Sequence, residues 1–506
     1  MKGEAWSVED DEKLLARWKA EGLIKDWMAQ WPEYSISEDS YFAACPNTRM
    51  RKDSRQIVFY GSTFLDFWGY RLTPPQAIIV ALFDGARSLR DVRRMVQDYA
   101  GGSDELNDLK IRRALAQVEA TKEQSRFIAE ANPITADHAV FDPRGLFIPH
   151  DEVELTADLD KPIAMMWMPT SVCQTDCVYC YATRKTMDPS RLLTDQRVRE
   201  LLDEAADIGI CTMNVDGGDA LCRKNIAELL AYAVAKKMSI DLSTKAYISR
   251  AMARDLVAAG IGIIQMGFDA PYPDLFDKMV GAKGHFHRTL ESIKNCADEG
   301  LPVRTNSILT AETYLHVRQL VQLLSTLPLV NWKIAPAFRT AHRHREGLLL
   351  SEQQKQWLRE EVRQLQVEYG DKVQFECQSD YQALSSDERQ SAFGNFPRCG
   401  VGRDCIIITP DGKVSMCEQA PYAKEFIVGD VSQQSMVEVW QGEAMRRFKF
   451  PSADDFKGTA CHGCEDFEDC YHKKGGCMIL SVKAYGTRFA PNPCCPKAPP
   501  YSPPVQ

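Results

Sequence analysis

The 506-residue chain has no unbroken apolar run of the about 18 residues that a membrane span needs. Its first residues, MKGEAWSVEDDEKLL, are charged where a secretory signal would carry an apolar core. Both absences predict a cytoplasmic protein with no membrane partner. Basic charge is also in deficit: 61 Lys and Arg face 70 Asp and Glu, for a net charge of -9 and a pI near 5.6. No global field exists to hold a phosphate backbone, which disfavours nucleic acid as a partner. What is present is an ordinary globular balance, 44% hydrophobic and 26% charged, in a chain long enough for more than one core. A disordered or fibrous chain is excluded.

Against that background 17 cysteines are anomalous, because a reducing compartment keeps thiols free and free thiols are normally few. Three fall between Cys173 and Cys180 and nine between Cys399 and Cys495, while Cys45, Cys211, Cys222, Cys296 and Cys377 stand alone. Clustering favours metal binding over a disulfide scaffold, which belongs to small secreted domains without a core.

The order of patterns predicts several regions. Residues 1–55 hold a helix over Val8–Trp31 and no further readable role. Residues 56–125 read as a small winged helix: strand-like Ile57–Tyr60 and Phe64–Tyr70, then helices whose inward faces are Leu72, Ile78, Ile79, Leu82 and Phe83, and Leu89, Val92, Met95 and Val96. Residues 126–160 read as a linker. From 161 to 345 apolar strands alternate with amphipathic helices, the signature of βαβ units on a parallel sheet. Six strands are expected, over 162–168, 211–215, 238–242, 263–269, 302–309 and 330–338, with helices led by Thr194 and Thr313. The fold class is therefore α/β, a partial (β/α)6 TIM barrel whose chemistry should lie on the loops after each strand. Residues 346–398 form a charged linking helix, and 399–506 a cysteine-rich domain.

Directly after the first strand stands Cys173-Gln-Thr-Asp-Cys177-Val-Tyr-Cys180. Three thiolates can wrap three irons of a cubane cluster and leave the fourth open to a chelating ligand. Zinc would need a second ligand pair nearby in sequence, and none follows within the barrel.

This C-x3-C-x2-C loop, with aromatic Tyr179 before its last cysteine, resembles the radical S-adenosylmethionine (SAM) enzymes. The resemblance implies that SAM chelates the open iron through its methionine part, and that cluster-driven cleavage of SAM yields a 5′-deoxyadenosyl radical that abstracts substrate hydrogen. Asp216-Gly217-Gly218-Asp219-Ala220, after the second strand, is similar to the family's Gly-Gly-Glu-Pro motif, and implies SAM contacts at Gly217, Gly218 and Asp219. Ser243-Thr244-Lys245 ends the third strand; Ser243, Thr244, Arg304, Asn306 and Tyr179 complete the implied cofactor contacts. The fourth strand departs from the pattern. Peptide-modifying members carry Ser-Leu-Asp-Gly and a later Arg, where this chain has Gly267-Phe268-Asp269-Ala270 and Met279-Val280.

The second array runs Cys399, Cys405, Cys417, Cys461, Cys464, Cys470, Cys477, Cys494 and Cys495. Two four-cysteine clusters use eight of these nine, with one spare at the adjacent pair. Zinc would suit Cys461 and Cys464 equally well. The segment resembles the SPASM extension of radical SAM enzymes, which implies Cys399, Cys405, Cys417 and Cys477 on a nearer cluster and Cys461, Cys464 and Cys470, with Cys494 or Cys495, on an outer one. Three [4Fe-4S] clusters result, one binding SAM and two auxiliary. Glu418 stands where related sulfatase-maturing enzymes carry a proton-accepting acid, and Cys222 is a candidate hydrogen-atom donor.

Residues 56–120 resemble the RiPP recognition element (PqqD-like), which binds leader peptides by strand addition; a DNA-binding winged helix is the alternative, given Arg87, Arg90, Arg93 and Arg94. Together these resemblances imply a peptide maturase, an oxidoreductase that takes a precursor peptide, is reduced by a flavodoxin or ferredoxin, and forms a carbon–carbon or thioether crosslink. Peptide epimerisation is the rival within the class, and an iron–sulfur electron carrier or scaffold the rival outside it.

Overall fold

A computed structural model describes residues 37–62, 67–100, 107, 111, 127–156, 158–182, 187–341, 346–375 and 399–500. The helix expected over Val8–Trp31, and residues 376–398 of the expected linking segment, lie outside them. The chain divides into two compact units, Met1–Asp160 and Lys161–Gln506.

In the first unit, β1 (Tyr41–Ala44), β2 (Thr48–Asp53), β3 (Gln56–Ser62) and β4 (Phe67–Leu72) precede a helix over Pro74–Leu82. Strand β5 (Asp84–Ser88), a helix over Leu89–Ala100 and β6 (Phe127–Glu130) follow. Strands β2, β3 and β4 make one antiparallel sheet, and β1 sits between β5 and β6 in another. The first helix starts where the Gln76 side chain accepts the Thr73 N–H at 2.9 Å, with proline in the first turn where no amide donor is lost. Ile79, Leu82, Phe83, Leu89, Val92 and Val96 bury against Ile57, Phe59 and Leu72 in one core. Met95, expected on that face, is exposed.

Two expectations are corrected here. Strands β1 and β2 lie inside the span expected as an N-terminal helical segment. The span 126–160, expected as a linker, supplies β6 and the core residues Leu146 and Ile148. Such short strands carry too few alternations to be told from loop by pattern. Each arginine of the basic stretch has an acidic partner: Arg87 pairs with Asp84, Arg90 with Asp39, Arg93 with Glu38 and Arg94 with Asp91.

The second unit is built on one sheet. Its strands are β7 (Ala164–Trp167), β8 (Thr212–Val215), β9 (Ser239–Thr244), β10 (Ile264–Gly267), β11 (Val303–Leu309), β12 (Leu329–Pro336), β13 (Val373–Phe375), β14 (Cys405–Ile408), β15 (Lys413–Ser415) and β16 (Ile427–Asp430). Their order is β13-β12-β11-β10-β9-β8-β7-β14-β15-β16. Pairing is parallel from β13 through β14 and antiparallel beyond. The six expected barrel strands are all present and helices connect them; Thr194 caps the first as expected, its Oγ1 accepting from Arg197 N at 3.1 Å, and that helix buries Val198, Leu201, Leu202 and Ala205. Thr313 behaves differently. Its hydroxyl accepts from Thr310 N, the helix begins at Val317, and Leu315 is exposed.

Two features lay outside the sequence expectation. The helix over Glu352–Tyr369, read as a linker, buries Leu358, Val362 and Leu365 in the barrel core and delivers β13 to the sheet edge. On the other side β14 pairs with β7 in register Cys405↔Ala164 to Ile408↔Trp167, so the cysteine-rich domain continues the barrel sheet. Along β9 and β11 burial alternates strictly. The apolar side packs under helices, and the other side carries Asp241, Ser243, Arg304 and Asn306, a polar interior.

Candidate active site

At the C-terminal ends of the barrel strands lies a cavity of about 370 Å³. Cys173, Cys177 and Cys180 all face it. Their loop leaves β7 and is pinned on both sides by backbone hydrogen bonds. Asp176 N donates to Val280 O at 2.8 Å and Val178 N to Met279 O at 2.9 Å. Met279 and Val280 are fully buried under this loop and offer it their carbonyls.

On the opposite side the Gly217-Gly218 turn holds the same loop. Gly218 N donates to Thr170 O and Asp219 N to Val172 O, at 3.0 and 2.8 Å. A Cβ on Gly218 would collide with the Thr170 carbonyl, so the chain's own packing requires the glycine. Asp219 is committed in the same way. Its carboxylate accepts from Thr244 Oγ1, Lys245 N, Ala246 N and Leu221 N. It therefore ties the end of β8 to the end of β9, and burial raises its pKa despite those bonds. Both residues touch the cavity, but Asp219 and Thr244 already have their partners.

Across β9 and β10 the wall is cationic. Lys245 reaches over Gly267, where a Cβ would collide with its ammonium. Its Nζ stands 3.9 Å from Asp269 Oδ2 and 5.6 Å from the centre of the Tyr179 ring. Tyr179 donates its phenol to the fully buried Asp269, whose Oδ1 accepts from Ile308 N at 2.8 Å. Burial would pull Lys245 down, but Asp269 and the thiols of Cys177 and Cys180 outweigh it and hold it above the ordinary lysine value.

A second wall is acidic. Tyr181 donates to Asp216 Oδ2 at 2.8 Å and stacks on Phe338, ring centres 6.1 Å apart. Glu418 lines the cavity beside them. Burial first, then the neighbouring Asp216 carboxylate, raise its pKa to about 7. Glu418 is carried on the chain leaving β15, next to Cys417, and Gln419 beside it accepts from Lys483 Nζ at 2.6 Å.

The C-terminal cysteines separate into two groups. Burial, Asp404, Glu418 and Cys399 push the Cys405 thiol up to about 12, and burial with Glu418, Cys477 and Cys399 raises Cys417 further. Cys399 thus acts on both Cys405 and Cys417, and Cys477 on Cys417. Burial, with Cys495 and Cys464 nearby, raises Cys461, and the Tyr471 phenol is raised by burial and by Cys461, Cys470 and Cys495. Of the adjacent pair, Cys495 is beside Cys461 and Cys464, whereas Cys494 is fully buried. None of the 16 described cysteines is in a disulfide.

The residues present fit SAM and an iron–sulfur cluster. Three thiols, a cation and the buried Asn306 Oδ1, which has no hydrogen-bond partner among the described residues, border one space. Ser243 also borders it, with Oγ accepting from Gln265 Nε2 at 3.0 Å. Two expected residues are not on the wall. Arg304 lies two residues nearer the start of β11 and pairs with Asp241 at 2.9 Å. Cys222 ends a short turn behind the glycines. Sequence reasoning quoted Asp216 and Lys245 without giving them a role and passed over Tyr181 and Phe338; their signal was position at a strand end.

Comparison with known proteins agrees with this geometry. Residues 167–324 match the Radical SAM superfamily, and residues 399–465 match SPASM, the iron–sulfur cluster-binding domain. The mycofactocin maturase MftC of Mycolicibacterium smegmatis is 27% identical over 348 residues, 67% of this chain and 83% of that protein. The PqqA peptide cyclase of Rhizobium meliloti is 22% identical over 67% of this chain and 88% of its own length. Streptococcus suis SuiB, solved bound to its precursor peptide SuiA, superposes with a TM-score of 0.61 at 13% identity, over 91% of this chain and 99% of that one. At that identity the likeness is one of fold. Among the described residues no helix is long and apolar enough to cross a membrane. The chain thus carries a Radical SAM domain followed by a SPASM domain, and it is an enzyme whose cofactors are SAM and [4Fe-4S] clusters.

Proposed function

We propose that this enzyme crosslinks a ribosomally made precursor peptide. The observation that carries the reading is the shared cavity: Cys173, Cys177 and Cys180 border the same 370 Å³ as Glu418, whose neighbour Cys417 belongs to the nearer auxiliary group. SAM and its cluster, when bound, supply a hydrogen-atom acceptor, and the auxiliary clusters a one-electron sink. Closing a bond between two peptide positions removes one hydrogen atom, one proton and one electron. The chain's own contribution is to hold the peptide between the two walls and to receive that proton at the Glu418 carboxylate. Named relatives that act on peptides, the PqqA peptide cyclase and SuiB with its bound SuiA, support the substrate class.

The first unit is the leader-binding module in this reading. Support comes from its three-stranded antiparallel sheet, which ends on strands β2 and β4, followed by two helices. An added peptide strand would extend such an edge. A flavodoxin or ferredoxin supplies the reducing electron, Cys399, Cys405, Cys417 and Cys477 hold the nearer cluster, and Cys461, Cys464, Cys470 and Cys495 the outer one.

The test is mass spectrometry of a candidate precursor after anaerobic incubation with reconstituted enzyme, SAM and reductant. The expected product is lighter by two hydrogens, with fragmentation suppressed between the joined residues. Unchanged mass with one deuterium gained in heavy water would replace crosslinking by epimerisation.

A further inference from the structure

Lys245 faces the cavity with an ammonium that donates no hydrogen bond to any described residue. The carboxylate it pairs with stands 3.9 Å away, outside hydrogen-bond reach. Asp269 is itself satisfied by the Tyr179 phenol and by Ile308 N, so it draws Lys245 by charge without using its N–H groups. The side chain is 21% exposed, and the exposed part opens on the space bordered by Cys177 and Cys180. A cation with three undirected donors in a confined site calls for an anionic acceptor.

The neighbouring positions explain why the cation comes from β9. Gly267 offers no side chain, and Met279 and Val280 are fully buried with only carbonyls turned to the cysteine loop. Neither place can supply a donor for an anion. Without Cβ at 267, the Lys245 stem crosses the end of β10 and sets its ammonium where a side chain at 267 would begin. Lys333 also lines the cavity, from β12, but on the wall of β9 and β10 beside the cluster thiolates Lys245 is the cation a carboxylate would meet.

We propose that Lys245 holds the carboxylate of SAM, taking the space left open by Gly267. The proposal rests on the SAM reading of this cavity. A carboxylate of the precursor peptide has the same chemistry, and the experiment separates the two.

Dissociation constants for SAM and for decarboxylated SAM are measured anaerobically on full-length, cluster-loaded wild type, Lys245→Met and Gly267→Ala, with iron content determined for each. Lys245→Met should bind SAM roughly ten- to hundredfold more weakly, while its affinity for decarboxylated SAM stays that of wild type. Gly267→Ala keeps the lysine but displaces its ammonium, and should weaken SAM in the same direction by a smaller factor. If Lys245→Met loses its iron, Gly267→Ala decides alone. Wild-type SAM affinity in an iron-replete Lys245→Met, an equal loss for both ligands, or a raised KM for peptide with SAM affinity intact would each overturn the assignment. Wild type that binds no SAM would instead overturn the cofactor reading.

Discussion

Tyr179 and Tyr181 stand two residues apart on one loop, and each donates its phenol to a carboxylate, yet they serve opposite walls of the cavity. Tyr179 meets Asp269, which also faces the ammonium of Lys245. Tyr181 meets Asp216, whose neighbour is a second carboxylate, Glu418. One carboxylate is balanced by a lysine; the other raises the proton affinity of the acid beside it. A single strand-end loop thus divides the cavity into a side suited to a carboxylate and a side suited to receiving a proton. Both phenols are themselves raised far above the ordinary tyrosine value, first by burial and then by the carboxylate each one meets, so they remain donors.

Breaking the loop itself should have the largest effect. Cys177→Ala is expected to abolish SAM cleavage altogether, read as no 5′-deoxyadenosine by chromatography and loss of about four irons per chain. Altering only the acidic side should uncouple the two halves of the reaction. Glu418→Gln is expected to lower crosslinked product roughly a hundredfold or more while SAM cleavage continues; equal losses of both would place Glu418 outside the proton step. The electron path beyond the acidic wall is sharpened by the adjacent cysteines. Cys495→Ala should lose about four irons and reduce crosslinking, whereas Cys494→Ala should keep full iron content and lose only folding stability, by thermal melting. The tyrosines test the comparison directly. Tyr179→Phe should weaken SAM binding and leave peptide affinity unchanged, Tyr181→Phe should do the reverse, and each effect should be roughly tenfold or less, the scale of one hydrogen bond. Smallest of all is Cys222→Ala, expected to retain wild-type turnover, because Cys222 stands off the cavity wall.

Much of the site was legible because its chemistry is local. The three thiols of the first loop lie within eight residues, and spacing alone restricts what they can hold. The six barrel strands were legible for a related reason: a strand buried under helices must be apolar, and the helix between must show its own period. Asp219, expected as a cofactor contact, lines the cavity, and its carboxylate also gathers Thr244, Lys245, Ala246 and Leu221, a role no local pattern announces. Arg304 was read as a cofactor contact; Asp241 holds its guanidinium, and it does not border the cavity although Gln265, its partner across the sheet, does. A sequence pattern reports that a polar side chain lies on the inner face of a barrel and not how deep, because depth depends on strand register.

By itself the sequence determined the chemistry of the first cluster, the α/β class and the existence of a second cysteine array, since each follows from contiguous spacing or periodicity. Tertiary structure alone decided the rest. Pairing of β14 with β7 joins the cysteine-rich domain to the barrel sheet, and Glu418, more than 220 residues beyond the first cysteine loop, lines the barrel cavity. It also set Cys495 rather than Cys494 beside Cys461, and passed Lys245 over Gly267. These are contacts between segments far apart in sequence, and the composition of either segment carries no record of which partner it will meet.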